Sequence, residues 1–158
     1  MGQKSMELAT RLEQVNNELI AFVEACSDAN WRRTTTAEQW PVGVVAHHVG
    51  LSHGVIAGLA RKIADGEALP PVSWGMIHSM NAQHAEEHAN AAKAETLGLL
   101  RQGGADAATM VRGLSDEQLA RTGSVLGQRM AAAQLIDGIL IGHVVEHAGS
   151  LRSALGRS

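Results

Sequence analysis

Residues 6–26 read MELATRLEQVNNELIAFVEAC, and within them Leu8, Leu12, Val15, Leu19, Phe22 and Cys26 recur at alternating steps of four and three. That spacing lays one apolar stripe along a helix. A single stripe of this length must be covered by other helices, so the stretch sets the fold class. Downstream, Trp31 to Trp40 is polar and threonine-rich and reads as a loop. Pro41 suits the first turn of a following helix, where its missing N–H costs nothing. This second helix is expected from Pro41 to Ala64, burying Val45, Val49, Ser52, Ile56, Leu59 and Ile63 on one face. Asp65-Gly66 ends it, and Pro70-Pro71 delays a restart until Ser73 can cap a third helix, expected over Trp74–Arg101 and stopped by Gly103-Gly104.

A shorter helical piece is expected from Ala105 to Leu114, followed by the capping box Ser115-Asp116-Glu117-Gln118. Gly123 and Gly127 break the chain before a last helix, Gln128–Leu155, that places Ala132, Ile136, Ile139, His143, His147 and Ala154 on one line. No period-two alternation lasts more than a few residues, so no strand is expected. Four long amphipathic segments with short or moderate connections pack as antiparallel neighbours. The expected fold is all-α, an up-and-down four-helix bundle forming one domain over residues 1–158.

Composition narrows the function classes. With 45% hydrophobic and 18% charged residues the chain has a globular balance, which excludes disorder, and 3% aromatics with few β-branched runs favours helix over sheet. The net charge of −3 is spread over interspersed residues. Without a Lys/Arg stripe, no nucleic-acid partner is expected. One cysteine, Cys26, cannot form an internal disulfide, which fits a reducing cytoplasmic setting; on the first stripe it reads as a small buried hydrophobe, not a nucleophile. Glu7, Arg11 and Glu13 interrupt any apolar leader, and Met6 stands where a myristoylation motif needs Ser or Thr. The stretch Ala131–Val145, read as the most apolar, contains Asp137 and His143 and is too short to span a bilayer, so no membrane partner is expected.

Eight histidines are an excess for this length, and their placement carries the chemistry. His143 and His147 are one helical turn apart, so both rings leave one face with Cβ atoms roughly 6 Å apart, near enough to share a metal ion. Two histidines so spaced can equally make only core or interface hydrogen bonds. A third ligand must come from another helix, and His48, beside Val45 and Ser52 on the inward edge of the second helix, is the best candidate. His47 is rotated about 100° from it and is expected to face elsewhere. His84 and His88 form a second pair, in surroundings (Glu86, Glu87, Asn90) that suggest a partly solvated face. Both pairs spell H-x-x-E-H, an order used by some zinc proteases, yet it occurs twice in an alanine-rich chain with no other mark of a proteolytic cleft. His53 and His78 lack a partner at helical spacing and read as surface or boundary residues. No histidine has Glu three positions before it, which argues against a di-iron bundle.

Trp40-Pro-Val-Gly-Val-Val-Ala-His-His48, followed far downstream by His143-Val-Val-Glu-His147, resembles the DinB-like superfamily, including its mycothiol-dependent maleylpyruvate isomerase branch. Asn81-Ala82 and Leu114-Ser-Asp-Glu-Gln-Leu119 are similar to the same group, so the likeness covers nearly the whole chain. The resemblance implies a four-helix bundle, often dimeric, in which His48, His143 and His147 hold a divalent ion such as zinc or nickel. It also implies a transferase or isomerase that uses a low-molecular-weight thiol such as mycothiol or bacillithiol. Asn81 and His84 would then be outer or substrate contacts. Two features depart from the pattern: Ala148-Gly149-Ser150 stands where some members carry Arg-Gly-Gln, and the chain has no tyrosine to donate a proton. The competing reading is a non-enzymatic metal-binding or dimeric interaction and stress-response module built on the same bundle.

Overall fold

In the computed structural model, which describes residues 2–157, helix α1 spans Gln3–Ala25. Leu8, Leu12, Leu19 and Cys26 are buried along its stripe, while Val15 and Phe22 are partly buried at the flanks. Each fully buried leucine contributes about 1.5–3 kcal/mol. The Lys93 ammonium donates to the carbonyls of Glu24 and Cys26, satisfying acceptors that the end of α1 leaves free. A short helix α2, Asp28–Trp31, follows, capped by the Ser27 hydroxyl accepting from Asn30 N–H.

Helix α3 (Val42–Ala64) starts directly after Pro41. Its first turns, Val42 to Gly50, are buried on every side, after which burial narrows to His53, Ala57, Ala60, Ile63 and Ala64. The inward line is therefore set by small residues; Ser52, Ile56 and Leu59, expected there, are only partly buried. By length and composition α3, with a mean hydropathy of 1.4 over its best window, could cross a bilayer. It carries His47, His48 and His53 and is the central helix of this bundle.

The expected third helix is two helices. Helix α4 (Trp74–Glu87), capped by Ser73 as expected, ends at His88, and α5 (Lys93–Arg112) begins after a turn closed by Ala91 N–H to the His88 carbonyl. The Trp31 indole N–H donates to the Ala91 carbonyl and pins that turn. Gly103-Gly104, expected to stop a helix, lies inside α5 because those glycines let neighbouring groups approach. A Cβ on Gly103 would sit 3.2 Å from the Gly50 carbonyl oxygen of α3, and one on Gly104 would occupy the space filled by the Asn16 side-chain amide.

The capping box of Ser115 and Gln118 forms as expected and opens helix α6 (Asp116–Ala120). Beyond it comes a second correction. Thr122–Val125 (β1) and Gln128–Ala131 (β2) pair antiparallel, with Val125 opposite Gln128, around a two-residue turn in which Leu126 and Gly127 both have positive φ. That turn geometry matches strand twist, so Gly127 closes a hairpin where only a helix break was expected. The last helix starts at Ala132 as α7 (Ala132–Leu135), passes through a π-helical stretch at Ile136–Ile141, and continues as α8 (Gly142–Ala154). Helix α5 packs against both α1 and α3, and the last helix also touches both, which closes the four-helix bundle.

One buried polar bridge crosses this core. The Asn16 amide donates to the Leu100 carbonyl (2.8 Å), and its Oδ1 lies 2.8 Å from His53 Nε2, joining α1, α5 and α3. His53, expected as a surface or boundary residue, is 1% exposed. It continues the line Val49, His53, Ala57, Ala60 at helical spacing. Burial lowers its pKa to about 4 from the usual 6.5. The unfolded chain therefore binds a proton between those values that the folded chain excludes, so this contribution to stability is full above pH 6.5 and is lost as pH falls through 4. It amounts to about 3 kcal/mol. Urea unfolding of metal-free protein at pH 7 and pH 4.5 should show this loss, and His53→Gln, which cannot titrate, should show clearly less of it.

Candidate metal centre

The loop before α3 is closed on itself. Thr34 and Pro41 form an isolated β-bridge, Thr35 N–H and its hydroxyl both donate to the Trp40 carbonyl, and Val42 N–H donates to the Arg33 carbonyl. Gln39 takes a positive φ of 61° at its tip and donates to the Thr36 carbonyl. This fold of the loop presents Glu38 to the end of the bundle where α3 and α8 meet.

There, His48 from α3 and His143 and His147 from α8 converge. His48 Nε2 and His143 Nε2 are 3.0 Å apart, the ring centroids of the three lie 4.4–5.1 Å from one another, and one ligand atom from each falls within 4.8 Å of the others. Nitrogens bound to one tetrahedral zinc at 2.0–2.1 Å lie about 3.4 Å apart, so small ring movements suffice for all three to touch a common ion. His147 Nδ1 is 2.8 Å from Glu38 Oε1, which leaves Nε2 as the nitrogen it can offer. A carboxylate behind a ligating imidazole fixes its tautomer and raises its basicity. The donor set and its backing carboxylate thus fit a divalent ion.

Electrostatics favour unprotonated donors. Burial, with the neighbouring His147, lowers the His48 pKa to about 4, and burial, with His147 and His48, lowers that of His143 to about 3. Burial pushes the Glu38 carboxyl upward, but hydrogen bonding led by His147 outweighs it and holds the group below its ordinary value. The π-helical stretch ends directly before this pair, with Gly142 N–H bonding back to the Asp137 carbonyl. Its wider turn shifts the register of α8, so the fully buried line runs through Val144, Ala148 and Leu151 while His143 and His147 sit beside it, partly exposed.

A second cluster adjoins the first. His47, expected to face elsewhere, does so, and meets the pair expected on a partly solvated face: His47 Nδ1 is 2.8 Å from His84 Nε2, and the His47 and His88 rings stack at 4.2 Å. His84 also lies 5.6 Å, centroid to centroid, from His48, with Trp40 against both. Burial first, then His47 and His88, lower the His84 pKa to about 4. Asn81 is partly buried on the face of α4 that also carries Ile77, His84 and His88. His78 is exposed, as expected. Glu38 went unread in the sequence, where it is one acidic residue in a polar loop at no helical spacing from any histidine.

These features define a helical bundle with one short β-hairpin and two histidine clusters that could hold a metal ion. The chain belongs to the DinB superfamily, whose model matches residues 11–151. YfiT from Bacillus subtilis, described as a probable metal-dependent hydrolase with an unusual four-helix bundle topology, superposes with a TM-score of 0.76 at 19% identity, covering 100% of this chain and 91% of that one. A variant of the mycothiol-dependent maleylpyruvate isomerase superposes at 0.75 with 15% identity, covering 96% of this chain and 63% of that one. The sibling lethal factor precursor DfsB gives 0.69 at 17% identity, covering 99% and 97%. At these identities the likeness shows the fold. No curated protein matches the sequence.

Proposed function

We propose that the protein is a divalent-metal-dependent transferase or isomerase acting with a low-molecular-weight thiol, its centre held by His48, His143 and His147. The observation that carries this reading is the convergence of three imidazoles from two helices, with Glu38 hydrogen-bonded behind the third. A bound zinc or nickel ion would supply Lewis acidity and a lowered thiol pKa, because three histidines leave coordination positions for a reactant. His48 and His143 present unprotonated nitrogens at neutral pH because they are buried. Glu38 accepts the His147 Nδ1 proton and keeps that ring in the tautomer with Nε2 free. Trp40 packs its ring near the edge of His48 and limits water on that side. His84 lies beside His48, and it and Asn81, on the same face of α4, would provide polar groups for thiol or electrophile. The mycothiol dependence of the similar isomerase supports a thiol cosubstrate such as mycothiol or bacillithiol, and the same reading takes the protein as a cytoplasmic homodimer.

Metal analysis of untagged protein purified without chelator, followed by a screen of small thiols against maleylpyruvate-like and epoxide electrophiles, tests this reading. The expected result is one tightly held ion at this centre and a turnover that needs both thiol and metal and disappears in His147→Ala. Metal-free protein that takes up none on titration would overturn it. So would thiol-independent hydrolysis as the sole activity.

A further inference from the structure

The proposed centre uses His48 but leaves its chain neighbour unexplained. His47 is 1% exposed, and it gathers His84 and His88 from α4 around it. One ligand atom from each of the three lies within 4.8 Å of the others, the same criterion the first cluster meets. The resemblance extends to the outer partner. His47 directs Nδ1 toward His84 Nε2, and its opposite nitrogen, Nε2, lies 3.4 Å from Glu95 Oε1, so a carboxylate stands behind this imidazole as Glu38 stands behind His147. His84 faces His47 with Nε2, and its other nitrogen, Nδ1, is buried with no protein hydrogen-bond partner.

We infer that His47, His84 and His88 form a second site for a divalent transition-metal ion, adjoining the first. Three imidazoles with one nearby carboxylate select borderline cations such as zinc, nickel or cobalt over magnesium or calcium, which prefer all-oxygen sets. His47 is locked in the core by α3, whereas the other two ligands come from α4. That helix buries none of its residues fully and exposes Trp74, Met76 and Met80. An ion at this site would therefore tie a weakly packed helix to the core, and ligand binding stabilises whichever conformation it favours. Because His84 also borders His48, occupancy of the second site would take up a side chain otherwise open to the reactants of the first.

Titration of untagged, chelator-treated protein with cobalt(II) and zinc(II), followed by optical absorption and elemental analysis after desalting, tests this directly. Wild type should take up about two ions per chain, and His88→Gln and His147→Ala should each take up about one. His88 closes α4 at the bundle surface, and Glu95→Gln serves as a milder variant should His88→Gln lose helicity. In the His147→Ala background, zinc should slow amide exchange across residues 74–87 several-fold, and adding His88→Gln should remove that protection. A single ion in wild type, lost with His147→Ala and untouched by His88→Gln, would overturn the second site and leave the first standing. A single ion lost only with His88→Gln would do the reverse. No uptake by wild type would overturn both.

Discussion

Replacing His143 by alanine should abolish tight metal binding at the His48–His143–His147 centre while leaving a folded bundle. His143 Nε2 stands 3.0 Å from His48 Nε2, so truncation removes one of three convergent donors and leaves His48 and His147 on separate helices. Zinc bound by four protein ligands is worth about 10–16 kcal/mol, so one ligand carries roughly 3 kcal/mol, a loss of at least about a hundredfold in affinity. Competition with a calibrated chelator measures the loss. Circular dichroism and a urea midpoint separate it from unfolding, since Leu140, Ile141, Val144 and Leu151 hold the last helix in the core without the imidazole. An affinity within threefold of wild type would remove His143 from the ligand set.

The second large effect belongs to a residue outside the proposed ligand set, Glu38, which hydrogen-bonds His147 from behind. Glu38→Ala should weaken metal binding about 10–100-fold, the usual consequence of removing the carboxylate behind a ligating histidine. Glu38→Gln should cost less, because its side-chain carbonyl can still accept the His147 Nδ1 proton. The ordering Ala, then Gln, then wild type in affinity distinguishes orientation of the ring from a general electrostatic effect, in which Gln and Ala would lose alike. Acidification offers a further check on the same centre. Burial keeps His48 and His143 unprotonated down to about pH 4 in the metal-free fold, so the donors are available well below neutrality.

Much of the fold was legible from periodicity alone. The alternating four-three stripe of residues 8–26, Pro41 at a helix start, Ser73 and Ser115 as caps, and the His143–His147 spacing all depend on neighbours within one or two turns, and all four appear where they were read. The misreadings share a cause. Gly103-Gly104 reads as a stop because glycine lowers helix propensity, yet what decides its role is whether Gly50 and Asn16 press against that point from other helices. Gly127 reads as a break and closes a hairpin, since a turn's meaning depends on whether its flanks find each other. His53 reads as a surface or boundary residue because it lacks a partner at helical spacing; its partner, Asn16, is 37 residues distant in the chain.

The amino-acid sequence by itself determined the helical class, the pairing of His143 with His147 on one face and the candidacy of His48, because these follow from the 3.6-residue turn that every helix shares. Tertiary structure alone decided that Glu38 backs His147, that His47 gathers His84 and His88, and that Asn16 and His53 bridge the core. Those juxtapositions join residues 37 to 109 positions apart. Packing of whole helices, not local geometry, brings such groups within a few ångströms.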